Sequence, residues 1–171
     1  LQEEGEWVVP FFFNPNIHPR EEEEKRLQEA RALAHLPPWD RLEAPPSREE
    51  DWNAAVRGLE DEPERGLRCA ECFRMRLREA FVWASAHGLD RVGTALAMSP
   101  WKRYEQILEV GKSLEQVFPG ITFLDRNFRR DDGVRRGREM ARSLGLYQQN
   151  YCGCRYSLRE RGERLQAREK G

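Results

Sequence analysis

Three short stretches along the chain, at residues 7–13, 91–96 and 121–124, have the pattern of β-strands. The first is wholly apolar, which is typical of a strand buried on both faces of a parallel sheet. Pro10 places this strand near the edge of its sheet, because proline has no N–H to donate to a neighbouring strand. A polar or turn-rich loop follows each stretch, so the pattern predicts three strands with loops at their carboxyl ends.

Amphipathic stretches separate and follow these strands. The clearest covers residues 63–87, where the apolar residues recur at helical spacing. Ser99 is expected to cap another helix, with Pro100 in its first turn. The alternation of strand and helix predicts one α/β domain over residues 1–171, with a mostly parallel sheet and a Rossmann-like three-layer architecture. The remaining helices are predicted at residues 20–35, 48–59, 100–117, 133–144 and 158–168.

The charge is distributed unevenly along the chain. Residues 1–66 carry 8 basic and 17 acidic side chains, whereas residues 67–171 carry 21 basic and 13 acidic ones. A basic surface attracts polyanions, and nucleic acid is the commonest large one. A solvated, salt-bridged surface explains the same charges equally well. No G-x-G-x-x-G or P-loop motif is present, so nucleotide binding by those two routes is unsupported.

All four cysteines lie in the basic half, in two close pairs. Cys69 and Cys72 form a C-x-x-C motif, and Cys152 and Cys154 form a C-x-C motif that is separated from it by 79 residues. Thiolates are soft ligands that suit zinc, copper(I) and iron–sulfur clusters. Two short pairs from distant parts of a chain can converge on one metal centre once the chain folds. The spacing therefore predicts a metal site that uses all four thiols.

Disulfides, redox chemistry and structural zinc are the alternatives for these cysteines. The sequence has no secretory signal and no apolar run long enough to span a bilayer, which favours the cytoplasm, where thiols stay reduced, over disulfides. A thioredoxin-like role lacks the expected preceding strand. Structural zinc with four thiolates remains open beside an iron–sulfur site. Two non-catalytic functions stay open with them, an RNA-binding zinc module and an electron-transfer protein.

Four motifs, in order along nearly the whole chain, closely resemble the QueH-type epoxyqueuosine reductases. They are residues 13–19 (FNPNIHP), 68–77 (RCAECFRMRL), 94–100 (TALAMSP) and 146–154 (LYQQNYCGC). The resemblance implies reduction of epoxyqueuosine to queuosine at the wobble position of a tRNA anticodon, the last step of queuosine synthesis. It also implies a HUP-type α/β fold, a cobalamin-independent enzyme with a 4Fe-4S cluster and an adjacent mononuclear iron, and an electron donor as partner.

The chain departs from the family pattern at its beginning. Family members start with a strand that ends in a Cys-Cys-x-x-Cys/Asp motif, followed by a helix. We expect Leu1 to Glu4, closed by Gly5 as a C-cap, to be the end of that helix, so that the first strand and part of the metal-binding set precede Leu1. On this expectation the 171-residue chain does not reduce epoxyqueuosine by itself, whereas the same chain extended upstream does.

Further residues are assigned from their types and positions. His18 is a candidate proton donor, although a loop histidine beside prolines is more often structural. Trp101, Tyr147 and Tyr151 are candidates for stacking on a base, although aromatic residues at element ends more often belong to the core. Asn127 lies where many relatives have an aspartate, and it receives no catalytic role. The candidates for hydrogen bonds to the modified base are Asn14, Asn16, Ser99, Lys102 and Gln149, and those for phosphate contacts are Lys102, Arg103, Arg129, Arg130, Arg135 and Arg136.

Overall fold

A computed structural model describes residues 7–37, 39 and 41–169. The expected helix end at Leu1 to Gly5 therefore lies outside the described residues. The chain divides into two compact units, one formed by Leu1–Asp51 with Tyr147–Gly171 and the other by Trp52–Leu146. The first unit contains the Cys152–Cys154 pair and the second contains the Cys69–Cys72 pair.

The second unit is built on a parallel pair of short strands, β1 (Arg91–Val92) and β2 (Thr122–Phe123). Two helices pack against them, α3 (Leu67–Ala86) and α4 (Tyr104–Glu115). The predicted stripe of α3 is confirmed as the centre of the core. Its buried members are Phe73, Leu77, Phe81 and Ala84, which cluster with Val92, Ile107, Val110, Leu114, Ile121 and Phe123.

Close helix–sheet packing requires a glycine in α4. A Cβ on Gly111 would overlap the ring of Phe123, so only hydrogen fits at this position. Helix α4 is thereby held directly against β2, and the loop that precedes α4 lies at the carboxyl ends of both strands. This is the edge at which open α/β sheets bind their ligands.

Both strands of the second unit are shorter than predicted. The run 91–96 ends as a strand at Val92, because the Thr94 hydroxyl accepts the Leu96 N–H at 3.2 Å and begins a 3-10 helix, Ala95–Met98. The prediction that Ser99 caps the next helix is wrong. The Ser99 hydroxyl accepts the Trp101 N–H within a separate turn, and α4 begins only at Tyr104.

The predicted strand at residues 7–13 is wrong. Phe11 makes one isolated parallel bridge to Glu43, with Phe12 N–H donating to the Glu43 carbonyl at 2.8 Å. Pro10 has no N–H to donate, and among the described residues the pairing of this segment does not extend beyond the Phe11–Glu43 bridge. Trp7, at the start of the run, is 71% exposed.

The other helices of the structure are α1 (Arg20–Ala34), α2 (Glu49–Ala55), α5 (Gly133–Ser143) and α6 (Arg155–Glu169). Helix α2 is shorter than predicted and ends before Gly58, whose φ of 83° does not belong to a right-handed helix. Helix α3 begins later than predicted, at Leu67, whose N–H donates to the Glu62 carboxylate at 2.7 Å. Helix α6 begins three residues earlier than predicted, directly after Cys154.

The α/β class is confirmed, since the described residues form six α-helices and a two-stranded parallel sheet. The three-layer Rossmann-like sheet of the HUP type and the single-domain organisation stay predictions. None of the helices in the described ranges combines the length and the apolar character needed to cross a membrane.

Candidate functional site

The first cysteine pair lies in the opening turns of α3, and both side chains are buried. The backbone N–H of Arg65 donates to Cys69 Sγ at 3.2 Å. Arg65 has a φ of 75°, which is rare for a residue with a side chain. The Gln106 amide supports this conformation by donating to the carbonyls of Arg65 and Gly66, at 3.3 and 3.1 Å. The turn before α3 is thus shaped so that an N–H points at the sulfur of Cys69.

The loop after β1 is joined to this turn by two contacts. Arg65 Nε donates to the Trp101 carbonyl at 3.0 Å. Lys102 is 8% exposed, and its ammonium lies 3.2 Å from the Glu64 carboxylate. The first cysteine pair and the loop at the carboxyl end of β1 therefore form one region of the second unit. Trp101 lies in this loop and is exposed.

The loop after β2 also reaches this region. Arg129 Nη1 donates to the Lys102 carbonyl at 3.2 Å, and Arg129 Nε donates to Asn127 Oδ1 at 3.1 Å. The Tyr104 hydroxyl donates to Asp125 Oδ1 at 2.5 Å. Burial, together with this hydrogen bond, raises the pKa of Tyr104 to about 12, so the phenol stays protonated at neutral pH.

The remaining predicted phosphate contacts lie on the surface of the second unit. Arg103, Arg130 and Arg136 are exposed. Arg135 is exposed as well, but its guanidinium is paired with two carboxylates, Asp132 at 3.0 Å and Glu139 at 3.0 Å. The hydrogen bond to Asp132, followed by that to Glu139, raises the pKa of Arg135.

The second cysteine pair lies in the loop that leads into α6. Arg26 of α1 donates to the carbonyls of Cys152 and Tyr151, at 3.1 and 3.3 Å. The backbone N–H of His18 donates to the Gly153 carbonyl at 2.8 Å. Arg26 is itself paired with Glu22 at 2.8 Å, and both side chains are largely buried. The C-x-C loop is therefore fastened to α1 through the backbone carbonyls of Tyr151 and Cys152.

The two thiols of this loop are neighbours. The side chains of Cys152 and Cys154 form a hydrogen bond, which, together with burial, raises the pKa of the Cys154 thiol. Cys154 Sγ also accepts the backbone N–H of Ser157 at 3.4 Å. The C-x-C pair is thus a two-sulfur clip with one N–H already directed at a sulfur.

The proline-rich loop around His18 lies beside this clip. Asn16 is 1% exposed, and its Oδ1 has no hydrogen-bond partner among the described residues. The His18 imidazole lies 3.2 Å from the Glu49 carboxylate, which also binds Arg155 at 2.5 Å. The carbonyl of Asn14 accepts the Ile17 N–H at 3.2 Å, a turn contact. Gln149, the other base-binding candidate of the first unit, is exposed.

Two aromatic candidates for base stacking have partners in the first unit. The Tyr147 hydroxyl donates to the Glu22 carboxylate at 3.0 Å, and Lys25 lies over its ring at 3.5 Å. The Tyr151 hydroxyl donates to the His18 carbonyl. Burial, with the nearby Glu22 charge, raises the pKa of Tyr151 to about 12. Both tyrosines thus help to hold the loop that carries the second cysteine pair.

The donor set of each pair fits a thiophilic metal. Each pair presents two thiols from one short segment, and Cys69 and Cys154 each accept a backbone N–H. Hydrogen bonds of this kind to sulfur are typical of iron–sulfur sites, where they tune the reduction potential. Within the described ranges, no group of three or more histidine, cysteine, aspartate or glutamate side chains is arranged to hold a metal ion. The fit is therefore stated for each pair by itself.

Several residues of these sites are not apparent from the sequence. Arg26 and Glu22 belong to a charged helix face, and their contacts with residues 147–152 span more than 120 positions. Gln106 and Glu49 lie in segments with no recognisable motif. A hydrogen bond between distant segments leaves no periodic signal in one sequence, so none of these contacts was predictable from residue pattern alone.

We expect Gly153→Ala to destabilise the first unit by about 1–3 kcal/mol. Gly153 has a φ of 125°, and an added Cβ would lie 2.9 Å from Arg26 Nη1 and 3.2 Å from Ile17 Cγ1. Gly162 is the matched control, since it lies in α6 with open space around it. Gly162→Ala should be neutral or stabilising by up to about 1 kcal/mol. Urea unfolding of both variants measures the difference, and equal midpoints would contradict the strained geometry at Gly153.

Both cysteine regions lie within a part of the chain that matches a known protein family. The family model described as epoxyqueuosine reductase QueH matches residues 1–160. The QueH protein of Acinetobacter baylyi is 37% identical over 157 residues, which cover 88% of this chain and 68% of that protein. The QueH proteins of Haemophilus influenzae and Thermotoga maritima are 37% and 35% identical, covering 88% and 90% of this chain and 61% and 81% of their own lengths. The chain thus spans about 61–81% of the length of these three relatives.

Proposed function

Because the chain belongs to the epoxyqueuosine reductase QueH family, we propose that it reduces epoxyqueuosine to queuosine at the wobble position of tRNA. The observation that carries this proposal is the family match over residues 1–160, which includes both cysteine pairs and the loops beside them. We place the reaction in the cytoplasm, in keeping with four cysteines that form no disulfide.

The reaction consumes two electrons and two protons. Both C–O bonds of the epoxide break, a C=C bond forms between the two carbons, and the oxygen leaves as water. A 4Fe-4S cluster with an adjacent mononuclear iron, when bound, would supply electrons one at a time and polarise the epoxide oxygen. An external electron donor has to provide the two electrons for each turnover.

We assign Cys69, Cys72, Cys152 and Cys154 as the metal ligands of this chain. Their distribution between cluster and single iron is left open. The N–H groups of Arg65 and Ser157 would stabilise thiolate charge at Cys69 and Cys154, as hydrogen bonds to sulfur do. Gln106 and Arg26 would keep the two backbone segments in position, since each donates to carbonyls beside a cysteine pair.

The modified base needs hydrogen-bonding partners beside the thiols. Asn16 is the best supported of the five candidates, because its buried Oδ1 is an acceptor without a partner among the described residues. Lys102 is held by Glu64, and the Ser99 hydroxyl by the Trp101 N–H, so both are better suited to shaping the loop. Asn14 and Gln149 stay predictions.

His18 stays the candidate proton donor. Donation from Nε2 needs the doubly protonated imidazole, in which Nδ1–H faces the Glu49 carboxylate and Nε2–H is left for a substrate. The backbone N–H of His18 binds Gly153, so the imidazole is tied to the loop that carries the second cysteine pair. A proton delivered from this position would leave with the epoxide oxygen.

The test is conversion of epoxyqueuosine to queuosine in tRNA by the complete gene product that contains this chain, reconstituted anaerobically with iron and sulfide. With dithionite as electron donor, nucleoside mass spectrometry should show the loss of one oxygen from the modified base. Removal of metal by a chelator should abolish conversion, and iron with sulfide should restore it, because the thiols alone carry no reducing electrons.

The metal content of the same preparation distinguishes the reductase from the two alternative functions. If anaerobically purified protein holds stoichiometric zinc, no iron and no converting activity, the RNA-binding zinc module replaces the reductase. If iron is bound and reduced but tRNA is neither bound nor converted, the chain is an electron-transfer protein instead. Restoration of activity by zinc alone would contradict the proposed iron chemistry.

A further inference from the structure

Helix α5 (Gly133–Ser143) is unusual because none of its eleven residues is buried. A helix of this length usually gains its stability by burying one apolar face. In α5 the asymmetry is one of charge, with Arg135, Arg138 and Arg142 spaced at three and four residues. Residues at this spacing lie on one face of a helix. The helix therefore presents a row of guanidinium groups on its exposed side, while its small apolar residues Val134, Gly137 and Ala141 are half-buried.

This arginine row lines a groove of about 430 Å³. We call it the α5 groove; its charged walls are formed by Arg129, Arg135, Arg138 and Arg142 together with Asp132 and Glu139. The two carboxylates are both engaged with Arg135. Arg138 and Arg142 are exposed and form no ion pair with any described residue. The groove thus carries an excess of positive charge, concentrated on these two side chains.

The groove is fixed to the rest of the second unit on two sides. A Cβ on Gly133 would overlap the Phe128 carbonyl oxygen, so the start of α5 approaches the preceding loop closely. A Cβ added to Gly137 would lie 3.7 Å from Met98 Sδ, which is ordinary van der Waals contact. Across the groove, Arg129 is anchored by Asn127 and by the Lys102 carbonyl. The same Lys102 is paired with Glu64 near Cys69, which connects the groove to the first cysteine region.

We propose that the α5 groove binds the phosphodiester backbone of RNA, with Arg138 and Arg142 as the two phosphate-binding residues. This inference rests on the proposed function, whose substrate is a tRNA. Guanidinium groups match phosphate oxygens in a bidentate manner, and those without a carboxylate partner have no ion pair to break first. Four residues rise about 6 Å along a helix, so the two groups can reach neighbouring phosphates of one strand.

The ion pairs in the groove also indicate that one arginine, Arg135, makes no phosphate contact. Arg135 is already satisfied by Asp132 and Glu139, so its role is to neutralise the two carboxylates that would otherwise repel phosphate. Its replacement by glutamine would free those carboxylates and weaken binding by repulsion. This differs from the direct phosphate contact expected of Arg135 from the sequence.

The experiment measures binding of an unmodified tRNA transcript as a function of salt concentration. For Arg138→Gln with Arg142→Gln, we expect roughly tenfold or greater loss of affinity near 0.1 M salt. The slope of log affinity against log salt should fall by about 1.4–1.8, because each lost phosphate contact removes about 0.7–0.9 from it. Arg138→Lys with Arg142→Lys keeps the charges and should keep the slope while losing part of the affinity.

The matched control is Arg164→Gln with Arg168→Gln, which removes the same charge from two exposed arginines of α6. This control should leave the slope unchanged, and circular dichroism should show that all variants are folded. Equal slopes for the groove variant and wild type, or an equal fall in the α6 control, would overturn the proposal. If the groove variant instead loses binding to an acidic polypeptide and not to tRNA, the occupant is a protein and the proposal is wrong.

Conversion assays separate this proposal from the proposed function. If the groove variant binds tRNA as wild type does and converts it, the proposed RNA-binding role of the α5 groove is wrong and the reductase function stands. If wild-type protein shows the predicted salt dependence through Arg138 and Arg142 but never converts epoxyqueuosine, the groove stands and the reductase function is wrong.

Discussion

Serine in place of Cys69 or Cys152 is expected to abolish stable iron binding and to lower epoxyqueuosine reduction by at least about 100-fold. Even residues that merely support a metal ligand change affinity or activity by about 10–100-fold when replaced, and these two would be ligands. Cys69 accepts the Arg65 N–H and Cys152 lies beside Cys154, so each substitution breaks one two-sulfur clip. Iron content, the broad visible absorption of thiolate-bound iron and conversion of tRNA should fall together.

The matched control for the first pair is Ala70→Ser, which places a hydroxyl on the same turn of α3 and leaves both thiols intact. It should retain iron and the brown colour. Full iron content in Cys69→Ser or Cys152→Ser would remove that residue from the ligand set. Loss of bound zinc rather than iron would point to the structural zinc alternative.

Phe81→Ala is expected to destabilise the second unit by about 3–5 kcal/mol, the range typical of a fully buried aromatic ring. Phe81 is 0% exposed at the centre of the core. Its ring lies 5.5 Å from that of Phe118 and 6.5 Å from that of Phe123, measured between centroids. Alanine would leave a cavity between α3 and the sheet and would remove both aromatic contacts.

Urea unfolding followed by circular dichroism measures this effect as a shift of the midpoint at constant slope. Val82→Ala is the control on the same helix, because Val82 is 37% exposed and its truncation should cost less than about 1 kcal/mol. Equal midpoint shifts for the two variants would contradict the position of α3 in the core. Because Cys69 and Cys72 belong to the same helix, Phe81→Ala should also weaken iron retention near the unfolding midpoint.

The local sequence pattern was sufficient to predict the buried face of a helix with regularly spaced apolar residues. The stripe Phe73, Leu77, Ala80, Phe81 and Ala84 predicted the inward face of α3, because residues at this spacing share a face whatever they pack against. All of them are buried except Ala80, which is partly buried. Local pattern failed for residues 7–13, because a strand exists only through its partners. The apolar run offers no information about which segment pairs with it, and the structure pairs it with Glu43 at a single bridge.

The predictions for single side chains were also right about position and charge, but they did not give the contacts of each side chain. Ser99 and Lys102 are predicted from their place on a strand-end loop or a helix start, and both lie in the loop between β1 and α4. The Ser99 hydroxyl, however, closes a turn, and the Lys102 ammonium pairs with Glu64, a residue 38 positions earlier. Arg135 was chosen for its charge, yet two carboxylates within four residues neutralise it. The sequence shows the charge and the type of each of these residues. It does not show the partner of each side chain, which decides what the side chain can bind.

The sequence by itself determined the helices with strong periodicity, the two thiol pairs and the family. These depend on spacing along the chain and on chemical type, which folding does not change. Tertiary structure alone decided that Arg26 fastens the C-x-C loop, that Gln106 shapes the turn at Cys69, and that Arg138 and Arg142 face the α5 groove without an ion-pair partner among the described residues. Each of those facts is a distance between residues that the chain brings together only on folding, so no local pattern encodes it.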